Sequence, residues 1–382
     1  MAERAARTVD QAHLERAMRL EPNDAEYPYR LGVFAFRVQQ DNNLAKKSFQ
    51  RALALNPYRT RYWLSLASVY LTEGDIEKQK ATVQAALNAE PRNPETTWEA
   101  GNLDLVEGDT ERALHNFRIT LESERYNELG VFDTCWRATR DADLILKDAI
   151  PNDNRVRIAF LRWLVQHNEP AAAAKVWSAV AAAQQSVHAA DALPYVDFLL
   201  SHGDVGEAYR VWRQLLAGDE EMKGYAAAGN RVVNDRFEEP LLNSGFDWRI
   251  AGNPAVSLSL DSLEFRDRGR SLKLVFSGDP FRDAGLSQLV PVDPNTTYRF
   301  SAYVKSEEIY SASAPRFALD DAASGQSLLL TKDVIGTTPW EQLEGEFRTG
   351  PATQAVRLHI VQSAGAHIKG NLWVDGITIA AK

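Results

Sequence analysis

Residues 57–91, PYRTRYWLSLASVYLTEGDIEKQKATVQAALNAEP, contain the pattern that decides the fold of the first half of the chain. Pro57 and Pro91 are 34 positions apart, and Pro22 lies 35 positions before Pro57. Between the first and last proline of the segment, a Gly-Asp pair separates two runs of helix-forming residues; glycine suits the end of the first helix and aspartate the start of the second. A recurrence of this length with two helices per unit predicts a helical-repeat solenoid.

Large and small residues recur inside these units at fixed spacings. Trp63, Leu66, Ala67 and Tyr70 reproduce the W-x2-L-G-x2-Y pattern, with alanine in place of the glycine. A later element, alanine followed four positions on by an aromatic residue, occurs as Ala45/Phe49, Ala113/Phe117, Ala173/Trp177 and Ala208/Trp212.

Over residues 25–125 and 155–217 the chain resembles the tetratricopeptide repeat family, whose paired helices form a right-handed solenoid. Ala113 and Ala173 are 60 positions apart, which is short of two whole units, so we expect an irregular unit between them. Residues 8–20 read as the second helix of a repeat that lacks its first helix, so we expect the natural chain to begin upstream.

The resemblance implies a protein partner, because the concave groove of such solenoids, lined by the first helices, receives a peptide or a helix. We expect the polar side chains of the first helices to contact that partner. They are Arg30, Arg37, Arg61, Ser65, Ser68, Asn102 and Asp104. The alternative is that they form a solvated helix face. The resemblance does not identify the partner.

Composition changes near residue 228, from helix formers to short alternating segments divided by turns of Gly, Pro, Asn and Asp. The segment TYRFSAYVKS at 297–306 is typical. Two domains are therefore predicted, a helical-repeat domain at 1–228 and a β domain at 229–382. Because the second contains about eight short strands, we expect an antiparallel β-sandwich of the jelly-roll type. The predicted fold class is thus a right-handed helical solenoid followed by a jelly roll.

Short motifs in the second half follow a recognisable order. They are NDRFE at 234–238, GFDW at 245–248 and LWVDGI at 372–377. The succession resembles the galactose-binding-like jelly rolls that serve as carbohydrate-binding modules on bacterial polysaccharide enzymes. The family's opening usually reads closer to Asn-Gly-Gly-Phe-Glu, and Asp235-Arg236 departs from it.

The second resemblance also implies a structural calcium ion, which many relatives hold with oxygens of the opening strand and a carboxylate of the closing strand. The matching positions are Glu238 and Asp375. Calcium takes six to eight oxygens, which two carboxylates and backbone carbonyls supply together. The alternative is an ordinary surface turn.

A glycan site needs an aromatic face and forked hydrogen-bonding groups. Strand alternation places five such side chains outward, on one face if their three strands are neighbours in one sheet: Arg299, Tyr303, Arg316, Arg357 and His359. This cationic face suits an acidic or heavily hydroxylated oligo- or polysaccharide. Trp248, in the GFDW loop, is a further stacking candidate. The alternatives are a solvated sheet face and a Trp248 packed in the core.

Composition and missing motifs narrow the function classes. Because 43 Lys and Arg stand against 52 Asp and Glu without a basic block, we expect no nucleic-acid partner. No apolar run reaches about 18 residues, so we expect no membrane insertion of this chain. The esterase, P-loop, zinc-protease and dinucleotide-binding motifs do not occur in the sequence, so we expect a protein that is not an enzyme.

We therefore expect a non-catalytic adaptor that binds a protein through its repeats and a glycan through its jelly roll, in bacterial exopolysaccharide or cell-envelope assembly. The expected location is the periplasm or another extracytoplasmic place, with the export signal absent from this chain. One alternative is a cytoplasmic, protein-only scaffold whose sandwich no longer binds sugar. Another is an accessory subunit of a polysaccharide-processing enzyme.

Overall fold

The chain forms two compact units, Met1–Gln184 and Gln185–Lys382. A computed structural model describes residues 11–123, 126–183, 185, 187–226, 229–267, 269–363 and 365–382. The described part of the first unit is helical, and the second unit contains two further helices followed by strands. The predicted fold class, helices first and a β-sandwich second, is confirmed.

The first unit consists of helices joined by short turns. They are α1 (Gln11–Leu20), α2 (Glu26–Phe34) with a π-helical extension (Ala35–Gln39), α3 (Asn42–Leu55), α4 (Thr60–Glu73), α5 (Ile76–Ala89), α6 (Pro94–Glu107), α7 (Thr110–Leu121), α8 (Glu128–Thr139), α9 (Ala142–Asp148), α10 (Asn154–Gln166) and α11 (Pro170–Ala182). The part of the predicted leading helix before residue 11 lies outside the described residues.

The turns within the repeats follow from their Gly-Asp pairs. Gly74 ends α4 with φ of 73°, a left-handed conformation that costs glycine little. The side chain of Asp75 then accepts a hydrogen bond from the backbone N–H of Lys78 and so caps α5. Gly108 and Asp109 repeat this arrangement between α6 and α7.

Paired helices approach closely where one residue is small and its neighbour is aromatic. A Cβ atom on Gly101 of α6 would lie 2.5 Å from a ring carbon of Phe117 on α7, and one on Gly32 of α2 would lie 2.5 Å from Phe49 on α3. Both phenylalanines are fully buried, so the missing Cβ atoms set the distance between the helices.

The irregular unit predicted between residues 113 and 173 corresponds to α9. This helix has 7 residues, whereas its neighbours α8 and α10 have 12 and 13. The shortened helix accounts for the reduced spacing of the repeat there.

The second unit begins with α12 (Ala189–Ser201), α13 (Val205–Gly218) and a 3-10 helix (Glu220–Tyr225). Its strands are β1 (Arg249–Ile250), β2 (Val256–Asp261), β3 (Ser271–Ser277), β4 (Asp283–Pro291), β5 (Thr297–Tyr310), β6 (Arg316–Asp321), β7 (Ser327–Leu330), β8 (Gly336–Arg348), β9 (Ala355–Val361) and β10 (Lys369–Ala381).

These strands form two antiparallel five-stranded sheets. Sheet A has the order β1-β4-β9-β6-β7, and sheet B has the order β2-β3-β10-β5-β8. Apolar side chains of both sheets share one core, in which Phe300 of β5 and Phe317 of β6 have ring centroids 5.4 Å apart. β5 therefore belongs to sheet B, whereas β4 and β6 belong to sheet A. Because the outer faces of the two sheets point in opposite directions, outward residues of β5 do not share a face with those of β4 and β6.

The helix pair α12–α13 packs on the opening loop of the sandwich. Phe246 lies 5.5 Å from the ring of Tyr209 and 6.0 Å from that of Trp212. Asp197 of α12 accepts hydrogen bonds from the Gly245 backbone N–H at 2.8 Å and from the Arg249 guanidinium. The predicted boundary at 228/229 falls between the last helical turn and the first strand, whereas the compact units divide earlier, at 184/185.

Candidate functional site

The first unit has a cavity of about 520 Å³ between α2, its π-helical extension and α4. Four of the predicted partner-binding residues line it: Arg30, Arg37, Ser65 and Ser68. Its apolar wall is formed by Tyr29, Val33, Phe34, Phe36 and Val38, among others. The cavity therefore combines an apolar surface with two guanidinium groups.

Arg61 links this cavity to a second one of about 480 Å³ between α4 and the start of α6. Its guanidinium lies 4.9 Å from the ring centroid of Tyr29 and forms an ion pair with Glu26. Glu26 also accepts a hydrogen bond from Arg30 at 3.2 Å. One carboxylate is thus shared by two arginines, and the first cavity, which Arg37 also lines, carries excess positive charge.

Two predicted groove residues have other roles. Asn102 on α6 donates to the backbone oxygen of Trp98 and lines neither of these two cavities. Asp104 was expected to face the groove, but it is buried and accepts hydrogen bonds from Asn116 and Arg112 of α7. Its pKa is raised because burial outweighs these interactions. Asp104 joins the two helices of its pair, and that expectation was wrong.

The five residues predicted to share one sheet face are divided between the two sheets. Arg299 and Tyr303 lie on β5 of sheet B, whereas Arg316 lies on β6 and Arg357 and His359 lie on β9 of sheet A. The prediction of a single face was therefore wrong. Alternation along each strand gave the outward positions, but it did not give the sheet to which the strand belongs.

The outer face of sheet A, here called the β9 face, carries the charged side chains of Asp283, Arg316, Asp320, Arg357 and His359. Arg316 pairs with Asp333 and donates to Ser363, and the other four form one network. His359 lies between two carboxylates, with Nδ1 2.7 Å from Asp283 and Nε2 2.9 Å from Asp320. Arg357 donates to the same Asp283 oxygen at 2.8 Å. Burial alone would raise the pKa of Asp283, but the hydrogen bonds and the charges of His359 and Arg357 hold it below its usual range.

Two carboxylates of this face were not among the predicted site residues. Asp283 and Asp320 come from β4 and β6, which flank β9 on either side. Alternation in β4 places Asp283 outward, opposite the buried Ala284, and this was the only sequence signal available for it. Its proximity to His359 depends on the order of the strands.

On the outer face of sheet B, positively charged side chains of the same chain cover the aromatic rings. The guanidinium carbon of Arg266 lies 3.2 Å from the ring centroid of Tyr303. Lys273 and Lys305 lie 4.7 and 5.4 Å from the ring of Trp373. The face of Tyr303 is therefore covered by a cation of the same chain.

Trp248 is in the core and is not a stacking platform. It is 1% exposed, packs 5.2 Å from the ring of Phe237, and donates from Nε1 to the Asn234 backbone oxygen. The expectation that it binds sugar was wrong, because the GFDW loop packs its tryptophan into the core of the sandwich.

The predicted calcium ligands, Glu238 and Asp375, lie at the opening and closing ends of the sandwich sequence. The guanidinium of Arg270 donates to the backbone oxygens of Phe237 at 2.8 Å and Glu238 at 2.5 Å. Asp375 accepts from the Arg266 backbone N–H, and burial raises its pKa. Two carbonyls of the opening segment thus accept hydrogen bonds from a cationic side chain of the same chain.

Among the described residues there is no cluster of three or more His, Cys, Asp or Glu side chains that could hold a metal ion. The calcium site stays a prediction that a binding measurement must test.

Two family models each match a segment of the chain. The model of the carbohydrate binding domain family matches residues 229–364, and a tetratricopeptide repeat model matches residues 60–93. No curated protein matches the chain. In the described parts of the chain, no helix has the length and apolar character needed to cross a membrane.

Three solved structures illustrate the similarity. The carbohydrate-binding and GH10 modules of endo-1,4-β-D-xylanase 10B from Clostridium thermocellum, complexed with xylohexaose, are 16% identical and cover 40% of this chain, with a TM-score of 0.30; the match spans 29% of that chain. The xylan-binding CBM22-1 domain of Xyn10C from Paenibacillus barcinonensis is 18% identical over 41% of this chain and 97% of that chain, with a TM-score of 0.28. PilW, a type IV pilus biogenesis factor, is 19% identical over 52% of this chain and 96% of that chain, with a TM-score of 0.29.

Proposed function

We propose that this chain, in which a tetratricopeptide-repeat region precedes a carbohydrate-binding domain, is a non-catalytic adaptor. In this proposal the groove between α2, α4 and α6 binds a segment of a protein partner. The β9 face binds an oligo- or polysaccharide. Both matched families are binding families, which supports a role without catalysis.

The observation that carries the glycan half of the proposal is the network around His359. Carboxylates and guanidinium groups held in fixed positions offer paired acceptors and donors for neighbouring hydroxyl groups. The arginines of the β9 face are matched by carboxylates, because Arg357 pairs with Asp283 and Arg316 pairs with Asp333. This balance favours a neutral, hydroxyl-rich glycan over an acidic one.

A glycan array with the full-length protein tests this function. Arg357→Ala is expected to weaken binding at least about tenfold, because the side chain is half exposed and fixed by Asp283. Arg299→Ala is the matched control, since Arg299 is similarly exposed but is paired with Glu344 on sheet B. The control should bind as the unaltered protein does.

Other outcomes select other functions. Binding lost only in Arg299→Ala would move the site to sheet B. Binding to no glycan would favour the protein-only scaffold, in which the sandwich makes protein contacts. Co-purification with a polysaccharide-processing enzyme would favour the accessory-subunit alternative.

We place the adaptor in bacterial exopolysaccharide or cell-envelope assembly, in the periplasm or another extracytoplasmic compartment. A glycan-binding domain joined to a protein-binding groove suits a protein that holds a polymer near its assembly machinery. Cell fractionation of the source bacterium tests the location. Recovery in the cytoplasm would support the scaffold alternative.

A further inference from the structure

We propose that the groove binds an extended partner segment in one direction, with an acidic end over α2 and a basic end over α6. This inference rests on the proposed protein-binding function and adds to it the chemistry and the polarity of the partner.

The α2 end of the groove carries more positive charge than its own carboxylate neutralises. Arg30 and Arg61 both pair with Glu26, and Arg37 lines the same cavity. Arg37 is exposed at the first cavity and has no ion-pair partner among the described residues. A carboxylate of a partner would therefore find a free guanidinium there.

An apolar contact is available beside these cations. Val38 is 65% exposed in the π-helical extension, and Val33 and Phe36 line the same cavity. The π-helical turn displaces the backbone from the regular helix path, a distortion often found at functional sites. An apolar side chain next to an acidic residue fits this end of the groove.

The α6 side of the second cavity carries carboxylates, whereas the facing α4 side carries arginines. Glu90 and Glu95 line the second cavity, opposite Arg59 and Arg61 on the α4 side. Glu99 lies one helical turn beyond Glu95 on α6 and is an exposed residue, and partial burial of its carboxyl group raises its pKa. Neither Glu95 nor Glu99 has an ion-pair partner in the described part of the chain. A lysine or arginine of the partner would compensate them.

The charges therefore change sign along one line, from α2 through α4 to α6. Neighbouring packed helices lie about 10 Å apart, so the two ends are separated by roughly 20 Å. An extended chain covers this distance with about six residues. A short segment can consequently contact both ends, and the reversed placement would bring like charges together.

Fluorescence anisotropy with the full-length protein tests the inference with three labelled peptides of equal length. The bipolar probe is DLDSSSKLK, and the uniform probes are DLDSSSDLD and KLKSSSKLK. We expect the bipolar probe to bind at least about tenfold more tightly than either uniform probe at low salt. The preference should shrink as salt is added.

Charge reversals identify the ends. Arg37→Glu and Glu99→Lys should each weaken the bipolar probe about tenfold, whereas the double variant should restore it because the peptide binds in the opposite direction. A photo-crosslinker at the acidic end should label α2 in the unaltered protein and α6 in the double variant. Arg51→Glu, an exposed site on α3 outside both cavities, is the control and should have no effect.

The outcomes separate this inference from the function on which it rests. Equal binding of all three probes, or single reversals without effect, would overturn the polarity and leave the groove as a protein-binding site. No binding of any probe would contradict the polarity and the groove function together. Circular dichroism of each variant confirms that a loss of binding is not a loss of fold.

Discussion

Asp247 is a buried carboxylate in the sandwich that lacks a charged partner in the described structure. One oxygen accepts the Leu242 backbone N–H at 2.7 Å, and the other has no hydrogen-bond partner. Burial raises its pKa to about 6, despite the opposing hydrogen bonds. The folded protein therefore binds this proton more tightly than the unfolded chain does.

This shift predicts a pH dependence of stability. For an acid whose pKa is higher in the folded state, stability falls as pH rises from about 4 to about 6 and then stays level. Asp247→Asn should remove that fall and stabilise the protein by on the order of 1–3 kcal/mol at pH 7.5. Urea unfolding of the variant and of the unaltered protein at pH 4 and at pH 7.5 measures this difference in stability. A stability difference that is the same at both pH values would contradict the assignment.

Arg270 is the second residue with a testable structural role. Its guanidinium holds two carbonyls of the opening segment, so Arg270→Ala should lower stability by about 1–3 kcal/mol. The control is Arg299→Ala, which loses only an exposed pair with Glu344 and should change stability little.

A separate prediction concerns calcium: the melting temperature of the unaltered protein should be the same in calcium and in EDTA. A calcium-dependent rise in melting temperature would instead support an ion at Glu238 and Asp375.

At the scale of elements, the distance between paired helices depends on glycine. Gly101→Ala would place a methyl group against the buried ring of Phe117, and overpacking of this kind costs about 1–3 kcal/mol. Gly130→Ala on α8 is the matched control, because the added methyl group meets no atom within 4 Å. The control should be neutral or slightly stabilising, since alanine favours helix. Thermal unfolding compares the two, and equal effects would contradict the close approach.

The two sheets show that an outward side chain's neighbours depend on which strands lie beside its own. A strand's sequence determines which side chains point outward, but its position in the sandwich depends on long-range pairing. Arg299 and Arg357 have similar sequence surroundings, yet Arg299 pairs with Glu344 on β8 and Arg357 with Asp283 on β4. Only the second lies beside His359.

At the scale of the whole molecule, the compact unit Gln185–Lys382 contains more than the matched carbohydrate-binding family region. The loop at Gly245 and Phe246 packs on α12 and α13, and Asp197 binds Arg249. We expect the fragment 185–382 to melt cooperatively at a higher temperature than 229–382, because the shorter fragment exposes Phe246 and leaves Arg249 without its carboxylate. Equal melting temperatures would show that the helices do not stabilise the sandwich.

The sequence by itself determined the two architectures, because periodicity reports local geometry. The 34-residue recurrence, the Gly-Asp turns and the alternating strands all arise from contacts between residues close in the chain. Arg30, Arg37 and Ser65, which the same local signals selected as candidates, line one cavity because neighbouring repeats stack in sequence order.

Only the tertiary structure decided which residues form the β9 face and which aromatic side chains are buried. The crossing of β5 to sheet B separated Tyr303 from His359, and Asp283 and Asp320 came beside His359 from strands far away in sequence. Trp248 was buried in the core for the same reason. Pairing between distant strands is set by the packing of the whole core, which no local pattern in the chain records.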